Sequence, residues 1–119
     1  MKTWAIVGLS NNPDRAAFSV AKLLQEKGHR IIPIHPRAEM VHGEMGYKTL
    51  ADIGEPVDVV DCFVNSQLVG RTVDEAISIG AKAVWLQLDV IDHEAIERAH
   101  AAGLLTVMNR CPAIEYRAR

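Results

Sequence analysis

The chain has 119 residues, 49% of them apolar and 24% charged, with a formal net charge of −2. That length suits one domain that buries roughly two-thirds of its unfolded surface without help from metals or disulfides. The charge leaves no basic nucleic-acid footprint, Cys62 and Cys111 make no disulfide framework, and neither a secretory leader nor a membrane span is expected.

The expected protein is cytoplasmic, with no nucleic-acid or membrane partner, no repeats and no linker; its charge and composition identify no protein partner. The first strand is Lys2 to Val7, apolar after its first residue and lacking the alternation of a half-exposed strand, as in a parallel sheet covered on both faces. It ends at Gly8 and passes through Leu9-Ser10-Asn11-Asn12 into a helix. Asn12, with Pro13 at the first helical position, or else Asp14, is the expected cap. Ala17, Val20, Ala21 and Leu24 recur at helical spacing as one apolar stripe, and Gly28 terminates the helix.

Arg30 to Ile34 is the second strand, and Pro33 inside it predicts an edge position, because proline gives no donor to a ladder. Residues 38–56 are irregular, punctuated by Gly43, Gly46, Gly54 and Pro56, with a short strand over Tyr47 to Thr49 and one helical turn over Leu50 to Ile53. So long a connection in a small domain is often functional or mobile. Val57 to Val64 is the third strand. A helix capped by Asn65 or Ser66 follows, its buried stripe Leu68, Val69, Thr72, Val73, Ala76 and Ile77, ending at Gly80. Ala83 to Leu88 is the fourth strand. Asp92 caps a third helix, with Ala95, Ile96, Ala99 and Ala102 inward and Gly103 after it; Leu104 to Met108 is the fifth strand, and Cys111-Pro112 bends the tail over Asn109 to Arg119.

Strands alternating with helices predict an α/β, Rossmann-like parallel sheet with helices on both faces and right-handed crossovers, in the order 2-1-3-4-5. Ligands of such sheets sit beyond the carboxyl ends of the strands, where the order reverses between strands 1 and 3. Three segments meet there: Gly8 to Asn12, Ile34 to Arg37, and Phe63 to Ser66. A glycine turn running into a helix N-terminus presents free N–H groups and a positive dipole, which is anion chemistry. The dinucleotide glycine fingerprint is incomplete, since Ser10 and Pro13 stand at its later glycines, so a turn without a ligand is the alternative. His35-Pro36-Arg37 offers no acid for a free ribose; Arg37 suits a ribose phosphate, either the 2′-phosphate of NADP or the 3′-phosphate of coenzyme A, or else is a solvated loop arginine. Phe63, Val64 and Asn65 give an apolar floor and an amide, roles that overlap with core and cap. Asp58 and Asp61 make no carboxylate pair, the five histidines are scattered without a metal pattern, Cys62 reads as a buried inert thiol, and no nucleophile–base pair is found.

Val7-Gly8-Leu9-Ser10 with Asn12-Pro13-Asp14-Arg15, Ile32 to Pro36, Val57 to Phe63, Ala81 to Gln87, and Asn109 to Glu115 together resemble the small CoA-binding domain proteins, which are similar to the N-terminal CoA-binding domain of the succinyl-CoA synthetase alpha subunit. The resemblance spans nearly the whole chain. It implies a single CoA-binding domain over residues 1–119 that holds coenzyme A or an acyl-CoA, without ligase chemistry of its own, since the phosphorylated histidine of the synthetase belongs to a second domain. It also implies that Gly8, Leu9, Ser10 and Asn12 wrap the pyrophosphate region, with Arg15 in support. Arg37, beside Ile34 and Pro36, stands where the synthetase has a basic residue, and Phe63, Val64 and Asn65 flank the ligand. Asp89 departs from the family, which usually has glycine there. An NADP-type oxidoreductase fragment and a regulatory or interaction protein with a vestigial site are the alternative readings.

Overall fold

The computed structural model describes residues 2–112 and 114. The elements run β1 (Thr3–Val7), α1 (Ala16–Glu26), β2 (Arg30–Ile34), a 3-10 turn (Leu50–Asp52), β3 (Val59–Cys62), α2 (Val69–Ser78), β4 (Ala83–Leu86), α3 (His93–Ala101) and β5 (Leu105–Val107). All neighbouring strands pair in parallel, in the order β2-β1-β3-β4-β5. This is the expected Rossmann-like α/β sheet.

Side chains alternate through the sheet and build two cores. Trp4, Ile6, Ile31 and Val59 pack with Ala17, Val20, Ala21 and Leu24 of α1 on one face. Ala5, Ile32, Val60, Cys62, Val84 and Leu86 pack with the stripes of α2 and α3 on the other. Burying strands on both faces is why they read as apolar runs. Asp58 ties the start of the sheet together: its Oδ2 accepts from the main-chain N–H groups of Lys2 and Thr3, each at 2.9 Å, and Lys82 Nζ lies 3.3 Å from Oδ1. These donors, Thr3 first, hold its carboxyl below the usual carboxylate range.

Pro33 lies on the edge strand as expected. Its carbonyl accepts from Tyr47 N–H at 2.9 Å on the outer side. The nitrogen and oxygen of one strand residue point the same way, so the missing donor faces outward too. The strand expected over Tyr47 to Thr49 is reduced to one bridge, Ile34 to Tyr47, while the helical turn from Leu50 is present as the 3-10 turn.

Several boundaries differ from expectation. Neither Asn12 nor Asp14 caps α1. Asn12 and Arg15 close a separate turn, with Arg15 N–H donating to the Asn12 carbonyl at 3.1 Å and Asp14 N–H to Asn12 Oδ1 at 3.0 Å. The helix therefore starts only at Ala16, with Arg15 as a cap that makes no side-chain bond. β3, β4 and β5 are shorter than expected because their ends leave the ladder to form loops; Asp89, at φ 67°, sits just past β4. That left-handed conformation explains why glycine suits the position. Leu68 is exposed at the rim of the sheet's carboxyl edge, and Ala102 lies exposed beyond α3, so neither joins the stripe expected of it. Of the tail, Ala113 and residues 115–119 lie outside the described residues.

Candidate functional site

The end of β1 is the centre of the site. Gly8 N–H donates to the Ile34 carbonyl of β2 at 2.8 Å, and Phe63 N–H donates to the Val7 carbonyl at 2.9 Å. Gly8 has φ 96°, and a Cβ there would stand 2.4 Å from the Phe63 carbonyl oxygen. Only glycine meets both demands, the left-handed backbone and the close approach of the neighbouring strand end.

Two cavities flank this point and share Gly8, His35 and Val64. One, on the α1 side, is about 480 Å³; Ser10, Asn12, Arg15, Arg37, Phe63 and Asn65 belong to its wall. The other, on the α2 side, is about 420 Å³. Ile34, Pro36, Leu50 and Leu68 give it apolar walls, and Lys48 and Arg71 stand among its polar lining. The two adjoin at these three residues and together make the cleft at the switch point, where the topology required it.

Ten of the eleven expected site residues, Gly8, Ser10, Asn12, Arg15, Ile34, Pro36, Arg37, Phe63, Val64 and Asn65, line this cleft. Leu9 does not: its side chain is wholly buried in the α1-side core. In so short a turn, one residue must anchor the loop. Asn65 has a structural role as well, its Oδ1 accepting from the N–H groups of Gln67 at 2.9 Å and Leu68 at 3.2 Å at the approach to α2. Ser66 instead ties two loops together, accepting from Ile91 N–H at 2.9 Å and donating to the Asp89 carbonyl at 3.3 Å. Asp89 lines neither cavity.

Sequence reasoning missed Lys48, Arg71 and Gln87. Lys48 lies in the irregular segment, where no periodicity marks a face. Arg71 lies in the first turn of α2, and its polar position on that helix was the only available signal. Among the described residues Arg15, Lys48 and Arg71 have no side-chain partner, and Arg37 has only Glu39, at 4.0 Å. Against these cations, Glu75 is the one acid among the lining residues described. A chain with net negative charge thus gathers positive charge at one mouth, which favours polyanionic ligands.

Beneath the α1-side cavity lies a buried polar pair. Asp61 faces this side between Ile6 and Trp85, and its Oδ1 accepts from Gln87 Nε2, while Oδ2 has no partner among the described residues. Full burial pushes the Asp61 carboxyl up to about 8, only partly opposed by the Gln87 amide, so the group is predominantly neutral at pH 7. The signal was an acid inside the apolar run Val59 to Cys62. Cys62, its neighbour, has its thiol pushed up by burial and by Asp61, as befits an inert core cysteine. Among the described residues no group of three or more histidine, cysteine, aspartate or glutamate side chains is placed to hold a metal. None of the described helices is long and apolar enough to cross a membrane.

Residues 2–117 match the family model described as a CoA binding domain. The chain belongs to the CoA-binding domain family. It is 31% identical over 110 residues to the uncharacterized protein YneT of Bacillus subtilis, covering 92% of this chain and 82% of that one. It is 28% identical over 121 residues to the alpha subunit of an ADP-forming acetate–CoA ligase II of Pyrococcus furiosus, covering 92% of this chain but 26% of the ligase subunit. In structure it is similar to a hypothetical protein from Pyrococcus horikoshii, with a TM-score of 0.94, 40% identity, and coverage of 98% of this chain and 82% of that one. The family thus includes both small proteins close to this length and a domain within larger ligase subunits.

Proposed function

We propose that this protein binds coenzyme A or an acyl-CoA across the cleft and holds it without transforming it. The observation that carries the reading is the pair of adjoining cavities at the switch point, lined by Arg15, Arg37, Lys48 and Arg71 around the Gly8 turn. The pyrophosphate lies over the turn at Gly8, Leu9, Ser10 and Asn12, near the start of α1. The adenine ring takes the apolar α2-side cavity, and the pantetheine arm runs along Phe63 and Leu88 in the α1-side cavity. Arg37 reads the ribose 3′-phosphate. The family membership and the ligase relative support the ligand class.

Thermal unfolding with added ligand tests this. At a hundred times its dissociation constant, coenzyme A should stabilise the fold by about 2.7 kcal/mol, a rise of roughly 10 °C or more in Tm for a domain of this size. Dephospho-CoA, which lacks the 3′-phosphate, should give a smaller rise, and Arg37→Ala should erase the difference between the two. A melting curve indifferent to coenzyme A and acetyl-CoA overturns the reading, and a shift with NADPH alone replaces it by the nicotinamide one.

A further inference from the structure

The segment between β2 and the 3-10 turn lies against α1 and the Gly8 turn. Asn11 Nδ2 donates to the Met40 carbonyl at 2.8 Å, Gln25 Nε2 to the His42 carbonyl at 3.0 Å, and His42 Nε2 pairs with the Phe18 carbonyl at 2.8 Å. The rings of Phe18 and His42 pack at a tilt of 48° with centroids 4.3 Å apart. Gly46 lets the two limbs of this strap close, since a Cβ there would stand 2.2 Å from the Glu39 carbonyl oxygen. Ala38 takes φ 49°, a conformation costly for a residue with a side chain, directly before Glu39.

The strap delivers one carboxylate to the anion turn. Glu39 Oε1 accepts from Asn11 N–H at 3.5 Å and lies 4.0 Å from Arg37 Nε. Both groups belong to the surroundings in which a phosphate is expected, and a carboxylate is the internal group that most resembles one in charge and acceptor geometry. Both contacts are long, and Arg37 is two-thirds exposed, so the hold is weak enough to be broken by a better anion. We infer that Glu39 is an internal counter-anion, standing between Asn11 N–H and Arg37 where the ligand's phosphate monoester sits, so that it fills this position in the free protein and lowers the affinity for ligands that must displace it with a phosphate. This rests on the CoA reading above. It adds a residue that tempers by competition the preference for the monoester that the cations set by attraction.

The test is calorimetric titration of the full chain and of Glu39→Gln with coenzyme A and with dephospho-CoA, at low salt. Glu97→Gln serves as a control of equal charge change, because Glu97 is exposed on α3 and lines neither cavity. The expected result is that Glu39→Gln tightens coenzyme A about two- to fivefold, the scale of one exposed charge contact. Dephospho-CoA is expected to be unaffected, and Glu97→Gln to change neither ligand. If coenzyme A binds wild type and Glu39→Gln alike, or if both ligands tighten equally, Glu39 does not guard the monoester position, while the CoA reading stands. If neither protein binds coenzyme A and circular dichroism shows both folded, the CoA reading fails and this inference falls with it.

Discussion

Asp61 shows how one residue sets a pH dependence for the whole fold. Its folded carboxyl titrates near 8, while in the unfolded chain an aspartate titrates near ~3.9. Below the lower value both states are protonated and the residue is indifferent to folding. As pH rises from there towards 8, the unfolded chain releases a proton that the folded chain keeps, so stability falls across that window and levels off above it. Asp61→Asn, which never ionises, should therefore melt higher than wild type at pH 7–8, by several degrees, with the advantage fading towards pH 4. Melting curves of both proteins across that range check this; a difference independent of pH would show that burial does not hold the proton. Gly8, by contrast, tolerates no replacement. Gly8→Ala combines a left-handed backbone with a clash against the Phe63 carbonyl, and should cost about 2–4 kcal/mol in urea unfolding as well as closing the cleft.

Two helix starts solve the same problem in different ways. Asp92 caps α3 directly, its Oδ1 accepting from Ala95 N–H at 3.0 Å. Asp92→Ala should cost about 1 kcal/mol, read as a lower urea midpoint with unchanged slope. α1 has no side-chain cap at Arg15, because Asn12 is already engaged in the preceding turn. Its first N–H groups thus lack a side-chain acceptor beside the cleft, and the stability forgone at the cap is consistent with a site that receives anions. The strap over residues 38–47 makes the complementary point. Its sequence reads as an irregular connection, yet Asn11, Gln25 and His42 bind it to the α1 side through hydrogen bonds that no local pattern announces.

For the molecule as a whole, charge placement matters more than charge total. The formal charge is −2, yet Arg15, Arg37, Lys48 and Arg71 are drawn from four separated segments to one mouth. Removing the pair on the α2 side, Lys48→Ala with Arg71→Ala, should weaken coenzyme A by about tenfold and flatten the dependence of affinity on salt, as measured by titration at several ionic strengths. The same double change should leave the unliganded melting temperature nearly unaltered, because neither side chain has a partner to lose among the described residues.

Local physics made the elements legible in the amino-acid sequence: the apolar runs of the strands, the stripes Ala17 to Leu24 and Val69 to Ala76, the glycine terminators, the Asp92 cap and the edge position of Pro33. From them follow the parallel sheet, its order and the place of the cleft, since crossover handedness leaves few alternatives. Tertiary structure alone decided that Leu9 faces the core, that Asn12 closes its own turn instead of capping α1, that Lys48 and Arg71 join the site, and that Asp61 meets Gln87 beneath it. Each of these is a contact between residues distant in the chain or a choice between competing hydrogen bonds. Periodicity records which face a residue occupies, but not which partner reaches it there.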